Sequence, residues 1–161
     1  MSTAAFKEAM SRFASGVTVV AGVVDGERHG MTVAAFSSVS ADPPVVLVCL
    51  GKSSRLGCSL VDGQPVSVSI LPASASASAL RFAGLDGHAG DRFEGIAASE
   101  SSLGVPVLSE ATAALVTRVR STVDVGDHRV LFLDVVEVHV SEATSEPLLW
   151  WSRGFAKAVR T

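Results

Sequence analysis

The run Gly30-Met31-Thr32-Val33-Ala34-Ala35-Phe36-Ser37-Ser38-Val39-Ser40 reads as an apolar strand ending in small hydroxyl residues, with Asp42-Pro43-Pro44 close behind. Small side chains leave backbone amides and carbonyls open to the edge of a flat ligand, and the hydroxyls can donate to ligand oxygens or phosphates. A tight strand crossing where only small residues fit has the same composition. Lys52-Ser53-Ser54-Arg55 stands at a predicted strand-to-helix junction. Free amides at a helix start, two hydroxyls and two cations make a phosphate cradle; ordinary N-capping on a solvated turn accounts for the same residues. Phe82-Ala83-Gly84 is followed by Asp91-Arg92-Phe93, where Arg92 can hold an anion or pair with its neighbour Asp91. Gly126-Asp127-His128 sets an imidazole on what is otherwise a plain turn.

Other chemistries find no footing. The glycine-rich dinucleotide fingerprint, the P-loop, the zinc-protease helix and the hydrolase nucleophile elbow have no counterpart in the chain. His29, His88, His128 and His139 share no ligand spacing, so no metal site is expected. Cys49 and Cys58 lack a CxxC arrangement and a nearby histidine pair, and read as buried free thiols in a reducing cytoplasm.

The elements that must position these residues are mostly strands. Residues 3–14 set Phe6, Met10, Phe13 and Ala14 on one helical face, with Ser2 or Thr3 as N-cap and Gly16 as the stop. The β-branched run from Val17 to Val24, the turn Asp25-Gly26 and a return strand from His29 to Phe36 form a hairpin. Strands are expected at Val45 to Leu50 and Pro65 to Leu71, with a short helix over residues 54–62 between them. The Ala/Ser run from Ala73 to Phe82 is read as a helix in preference to a linker, and residues 84–106 as a long surface loop with a little local structure. Two long strands, Ala113 to Val125 and Arg129 to Val140, flank Gly126-Asp127-His128. Many strands, few helices and short turns indicate an antiparallel barrel or sandwich rather than a wound βαβ sheet.

Bulk properties agree. A chain of 161 residues suits a single domain over residues 1–161. Hydrophobic residues make up 48% and mean hydropathy is +0.42, yet no apolar run reaches the roughly 18 residues of a membrane helix. The apolar excess must therefore go into a core and a subunit interface. A net charge of −3 with scattered cations argues against nucleic-acid binding. The N-terminus lacks a basic stretch followed by an apolar one and does not read as a signal peptide.

Taken in order, these segments resemble the short-chain flavin reductase family. The likeness begins at Arg12-Phe13-Ala14-Ser15-Gly16-Val17-Thr18-Val19-Val20, and runs through Gly30 to Ser40, Asp42-Pro43-Pro44 and Cys49 to Arg55. It continues in Phe82-Ala83-Gly84, Asp91-Arg92-Phe93 and Gly126-Asp127-His128, and ends with Pro147-Leu148-Leu149 and Gly154-Phe155. The resemblance implies a mainly β fold with short helices, a Greek-key split β-barrel of the FMN-binding type, working as a cytoplasmic homodimer with FMN or FAD at its interface. It implies hydride transfer from NADH or NADPH to flavin, with reduced flavin passing to a separate monooxygenase. By position, the backbone of Met31, Thr32, Val33 and Ala34 would line the flavin ring, and Ser37 and Ser38 would reach its edge or the ribityl chain. Val48, Cys49 and Leu50 would form the next wall, Ser53, Ser54 and Arg55 would hold the phosphate, and Phe82 with Ala83 would close the site. His128 would stand at the nicotinamide as the catalytic candidate, and Trp150, Trp151, Ser152 and Arg153 would contribute to the nucleotide pocket.

Three positions depart from the family pattern: Ala34 replaces a common Asn, Leu56 a common Thr, and Trp150-Trp151 a common Tyr. A non-catalytic flavin-binding module, or an oxidase of the pyridoxamine phosphate oxidase type, shares the barrel. The Gly126-Asp127-His128 tripeptide and the closing Pro147-Leu148-Leu149 with Gly154-Phe155 favour the reductase.

Overall fold

The computed structural model describes residues 2–143 and 145–158. Their strands are β1 (Ser15–Gly16), β2 (Thr18–Val24), β3 (Glu27–Val33), β4 (Phe36–Ala41), β5 (Pro44–Gly51), β6 (Pro65–Ile70), β7 (Ala98–Glu100), β8 (Pro106–Leu108), β9 (Ala113–Val125), β10 (His128–Val140), β11 (Leu148–Trp151) and β12 (Gly154–Lys157). Three helices accompany them: α1 (Thr3–Ser11), α2 (Arg55–Ser59) and α3 (Ser76–Ala83). None of the helices among the described residues is long and apolar enough to cross a membrane.

Seven strands form one antiparallel sheet in the order β3-β2-β6-β9-β10-β5-β4. Its two edge strands, β3 and β4, are joined in sequence by Ala34 and Ala35 alone. A sheet whose opposite edges are two residues apart has to curl on itself. The Cys49 amide donates to the Ala35 carbonyl at 3.0 Å, which carries the β4–β5 pairing up to the link, while no ladder joins β3 to β4 among the described residues and the barrel stays split. The continuous strand expected over Gly30 to Ser40 is thus two strands, with the bend at the two alanines.

Strand β2 is apolar on both faces because it separates two cores. Val20 points into the barrel with Val48, Leu50, Leu131 and Leu133. Val19 and Ala21 point outward against Leu71, Ala79, Phe82 and Phe93. Gly30 on β3 makes that outer packing possible: a Cβ there would stand 2.6 Å from the Phe82 ring. The two aromatics themselves meet edge to face at 4.8 Å.

Helix α2 is shorter than expected. It ends at Ser59, because Leu60 is extended, and its buried residues Leu56 and Gly57 turn toward the barrel. Ser54 caps it, accepting the Gly57 amide at 2.9 Å and donating to the Gly51 carbonyl at 2.7 Å. Gly57 is required there, since a Cβ would overlap the Gly51 carbonyl. The Ala/Ser run is a helix: a 3-10 turn at Ala73–Ala75 leads into α3, which stops at Gly84 with φ +71°. Helix α1 is capped by Ser2, but none of its residues is buried. Residues 84–106 hold more structure than a surface loop, with Phe93 and Val105 buried and β7 paired to β8.

Removing the Ser54 cap by Ser54→Ala should cost about 1 kcal/mol of stability. Gly30→Ala should cost about 1–3 kcal/mol through overpacking against Phe82. Urea unfolding of the two variants checks both figures. An unchanged midpoint for Gly30→Ala would mean the outer core is looser than its geometry indicates.

Candidate functional site

Strand β3 is an edge strand, and its free side is where a site can form. In an antiparallel strand the N–H and C=O of one residue point the same way, and successive residues alternate. The Gly30 carbonyl accepts from Arg92 Nη1 at 3.3 Å, outside the ladder with β2. Thr18 Oγ1, from the β2 side, donates to the Val33 carbonyl at 2.8 Å. Residues 28, 30 and 32 therefore turn their backbone groups to the free edge, giving a row of donors at two-residue spacing.

Beside this edge lies a cleft of about 800 Å³. One wall is the β2–β3 turn and β3, from Gly26 to Met31; a second is the start of α2, from Ser53 to Leu56; the third is Gly90 to Arg92. Of the residues expected from the sequence, Met31, Ser53, Ser54 and Arg55 meet in this cleft. Arg28, His29 and Asp91 join them without having been singled out as binding residues. Arg28 pairs with Asp91 at 2.6 Å, 63 residues away, so only folding brings the pair together.

The electrostatics are those of cations held ready but not free. Arg55 pairs with Asp25 of the β2–β3 turn, and Arg28 with Asp91. The Asp91 carboxyl is held below its usual range, first by the Phe93 amide and then by Arg28. Arg92 does not pair with Asp91 as one sequence reading allowed. Its guanidinium donates to the Phe82 carbonyl at 2.8 Å and ties the 84–94 segment to α3. His29 Nε2 is buried with no hydrogen-bond partner, and the Glu27 carboxylate stands 3.9 Å away.

His128 opens β10 opposite Gly51, the last residue of β5. The Lys52 amide donates to the Asp127 carbonyl at 3.0 Å, so the imidazole stands next to the segment that carries Ser53 to Arg55. Its Nδ1 lies 2.8 Å from Asp127 Oδ1. The Asp127 carboxyl sits below its usual range, chiefly through that hydrogen bond. An ionised Asp127 fixes Nδ1 as the donor and leaves Nε2 as the outward-facing atom.

Several expected contacts need correction. Val48 and Leu50 belong to the barrel core, so their side chains cannot touch a ligand outside it. Met31 and Val33, expected to offer backbone groups, turn these to β2, where the Val33 carbonyl accepts from Thr18. On β5 only Cys49 of the three faces outward, opposite Val130 of β10. Burial pushes its thiol pKa up, which keeps it a neutral, apolar wall. Cys58 is exposed rather than buried. Phe82 is fully buried against Gly30 and Phe93, whereas Ala83 is exposed at the end of α3. Thr32 spends its hydroxyl on the Ala79 carbonyl at 2.6 Å, leaving its amide for the free edge. Ala34 lies in the link between β3 and β4, and Ser37 and Ser38 are exposed on β4.

The Trp150–Arg153 hairpin belongs elsewhere within one chain. Trp150 packs edge-on to Phe155 at 5.4 Å, the Ser152 amide donates to the Ser11 carbonyl at 2.8 Å, and Arg153 pairs with Glu8 at 2.9 Å. The β11 strand meets the chain just before β2, where the Val17 amide donates to the Leu148 carbonyl. Arg55 meets the turn at the other end of β2, roughly 20 Å along the strand at about 3.3 Å per residue.

Comparison with known proteins fits this geometry. The model of the flavin reductase like domain matches residues 10–158. The NADH:riboflavin 5'-phosphate oxidoreductase of Streptomyces pristinaespiralis is 38% identical over 153 residues, 93% of this chain and 85% of that protein. The reductase component of 4-hydroxyphenylacetate 3-monooxygenase from Thermus thermophilus is 37% identical, over 96% of each. The solved flavin reductase of styrene monooxygenase from Pseudomonas putida S12 is 33% identical and superimposes with a TM-score of 0.84 over 97% of this chain and 98% of that one. An edge strand with open amides, a cleft with paired arginines and a match over nearly the whole chain place this protein in the flavin reductase like domain family.

Proposed function

We propose that this chain is a flavin reductase that moves a hydride from NADH to FMN or FAD and supplies the reduced flavin to a separate monooxygenase. The observation that carries the reading is the cleft itself, where edge-strand amides, Ser53 and Arg55 converge, with His128 outside its lining at the strand end paired with Gly51. The groups present fit a flavin nucleotide: a row of backbone donors suits the polar edge of a flat ring, and a guanidinium suits a phosphate. The relatives' names support NADH as reductant and a monooxygenase as recipient.

The bound flavin supplies the redox chemistry. The chain's own residues bind and orient. The amides of Arg28, Gly30 and Thr32 offer donors where negative charge collects on a ring edge. Arg55 can exchange Asp25 for a phosphate, while Ser54 keeps the α2 start in place through its cap. Asp127 holds the His128 ring so that Nε2 faces outward, where it can orient a carboxamide.

The chain works as a homodimer in this reading. Val136, Val138 and Val140 lie outward and exposed on β10, an apolar row that a second copy can cover. A partner subunit is also what could bring a Trp150–Arg153 hairpin to the cleft. The unpaired thiols Cys49 and Cys58 suit a reducing cytoplasm.

Following loss of NADH absorbance with FMN or FAD added tests the reading. Turnover that needs flavin supports it, and no turnover with either flavin overturns it. His128→Ala should raise the NADH KM or lower kcat, whereas unchanged kinetics would remove His128 from the site. Asp127→Ala should lower kcat/KM by releasing the ring. Because the Asp127 pKa is depressed, its contribution is present above the ordinary carboxylate value of about 3.9 and is lost only as pH falls through its own lower value. The Asp127 carboxylate is therefore ionised at neutral pH, and a kcat/KM of Asp127→Ala equal to wild type at about pH 7 contradicts the assignment.

A further inference from the structure

The cleft is larger than one phosphate needs. At about 800 Å³ it lies in the upper part of the roughly 300–1,000 Å³ range that holds whole organic ligands. It also holds a second anion-binding group. Arg55 stands on the α2 wall and Arg28 on the β3 wall, each about half exposed and each tied to one carboxylate. A guanidinium has five N–H donors, and the single side-chain bond each makes here leaves most of them unspent. Arg28 also lies 4.9 Å over the buried Phe93 ring. His29 also lines the cleft, with a buried Nε2 that no protein group satisfies. A buried polar atom without a partner calls for one from a ligand or water.

Two guanidiniums and an unsatisfied imidazole nitrogen that line one cleft match two linked phosphates and a sugar hydroxyl. We propose that the cleft seats the adenosine diphosphate arm of FAD, with Arg28 as its phosphate-binding side chain, so that this chain selects FAD over FMN. The proposal rests on the reading of Ser53 to Arg55 as the seat of the flavin's own phosphate. FMN carries one phosphate and leaves Arg28 and His29 unaddressed. Asp91 competes with the ligand for Arg28, and its ionic bond has to yield when the arm binds.

The test measures FMN and FAD dissociation constants by flavin fluorescence quenching for wild type, Arg28→Ala and Asp91→Asn, together with the NADH KM. The wild type should bind FAD at least about tenfold tighter than FMN. Arg28→Ala should bring that ratio toward one. Asp91→Asn keeps an oxygen for the Phe93 amide but releases the guanidinium, so it should widen the ratio. These opposite signs separate ligand binding from loss of structure, which would move both variants the same way. Equal binding of FMN and FAD by the wild type, with NADH-dependent turnover intact, overturns the proposal and leaves the flavin reductase reading standing. A raised NADH KM in Arg28→Ala with the flavin ratio unchanged also overturns it, since the arm would then belong to the nicotinamide nucleotide. If the wild type binds neither flavin, both readings fall.

Discussion

The two-residue link between β3 and β4 is the constraint from which the rest of this molecule follows. Ala34 and Ala35 join strands that stand at opposite ends of a seven-stranded order, so the sheet must close on itself without a ladder along the seam. The Cys49-to-Ala35 hydrogen bond carries the β4–β5 pairing up to the link and does not reach β3. Above it, β3 keeps a free edge, because the strand that could have paired with it is its own continuation. An unpaired edge is ordinarily a hazard for association. Here α2, α3 and the 84–94 segment surround it and turn it into the side of a cleft.

The surroundings are held by contacts that leave little slack. Gly57 lets α2 start against the Gly51 carbonyl, and Ser54 locks that approach with two hydrogen bonds. Gly30 admits Phe82 on the outer face, and Arg92 then bridges the Gly30 and Phe82 carbonyls. The charged groups follow a different logic. Arg28 and Arg55 are each satisfied by an exposed carboxylate, an arrangement of small net worth that a phosphate can replace. The frame is rigid where it shapes the cleft and exchangeable where a ligand must enter.

Much of this was legible in the chain. β-Branched runs marked β2, β5, β9 and β10, and Asp25-Gly26 and Gly126-Asp127 marked the two turns that flank the site. The order of short motifs carried the family. What could not be read was long-range. Arg28 and Asp91 carry no local sign of each other, and nothing in Ala34-Ala35 announces a bend, because no glycine or proline stands there. The inward turn of Val48 and Leu50 was available in principle. Strand alternation places them on one face and Cys49 on the other, so a wall built from all three contradicts the period of two. Serine 54 illustrates a limit of another kind: capping and phosphate binding call for the same hydroxyl, and only the fold shows that the cap uses it. Phe6, Met10 and Phe13, placed on one helical face by their spacing, stay exposed, because amphipathic spacing does not say what covers a face.

Amide hydrogen exchange with and without FAD tests most directly whether the free edge of β3 and the start of α2 form the flavin site. Flavin should slow exchange in residues 26–34 and 51–57, the two walls that meet in the cleft, and leave the outward face of β10 unchanged. Flavin-dependent turnover without added protection in either segment would contradict the account, because the ring would then be seated elsewhere on the barrel.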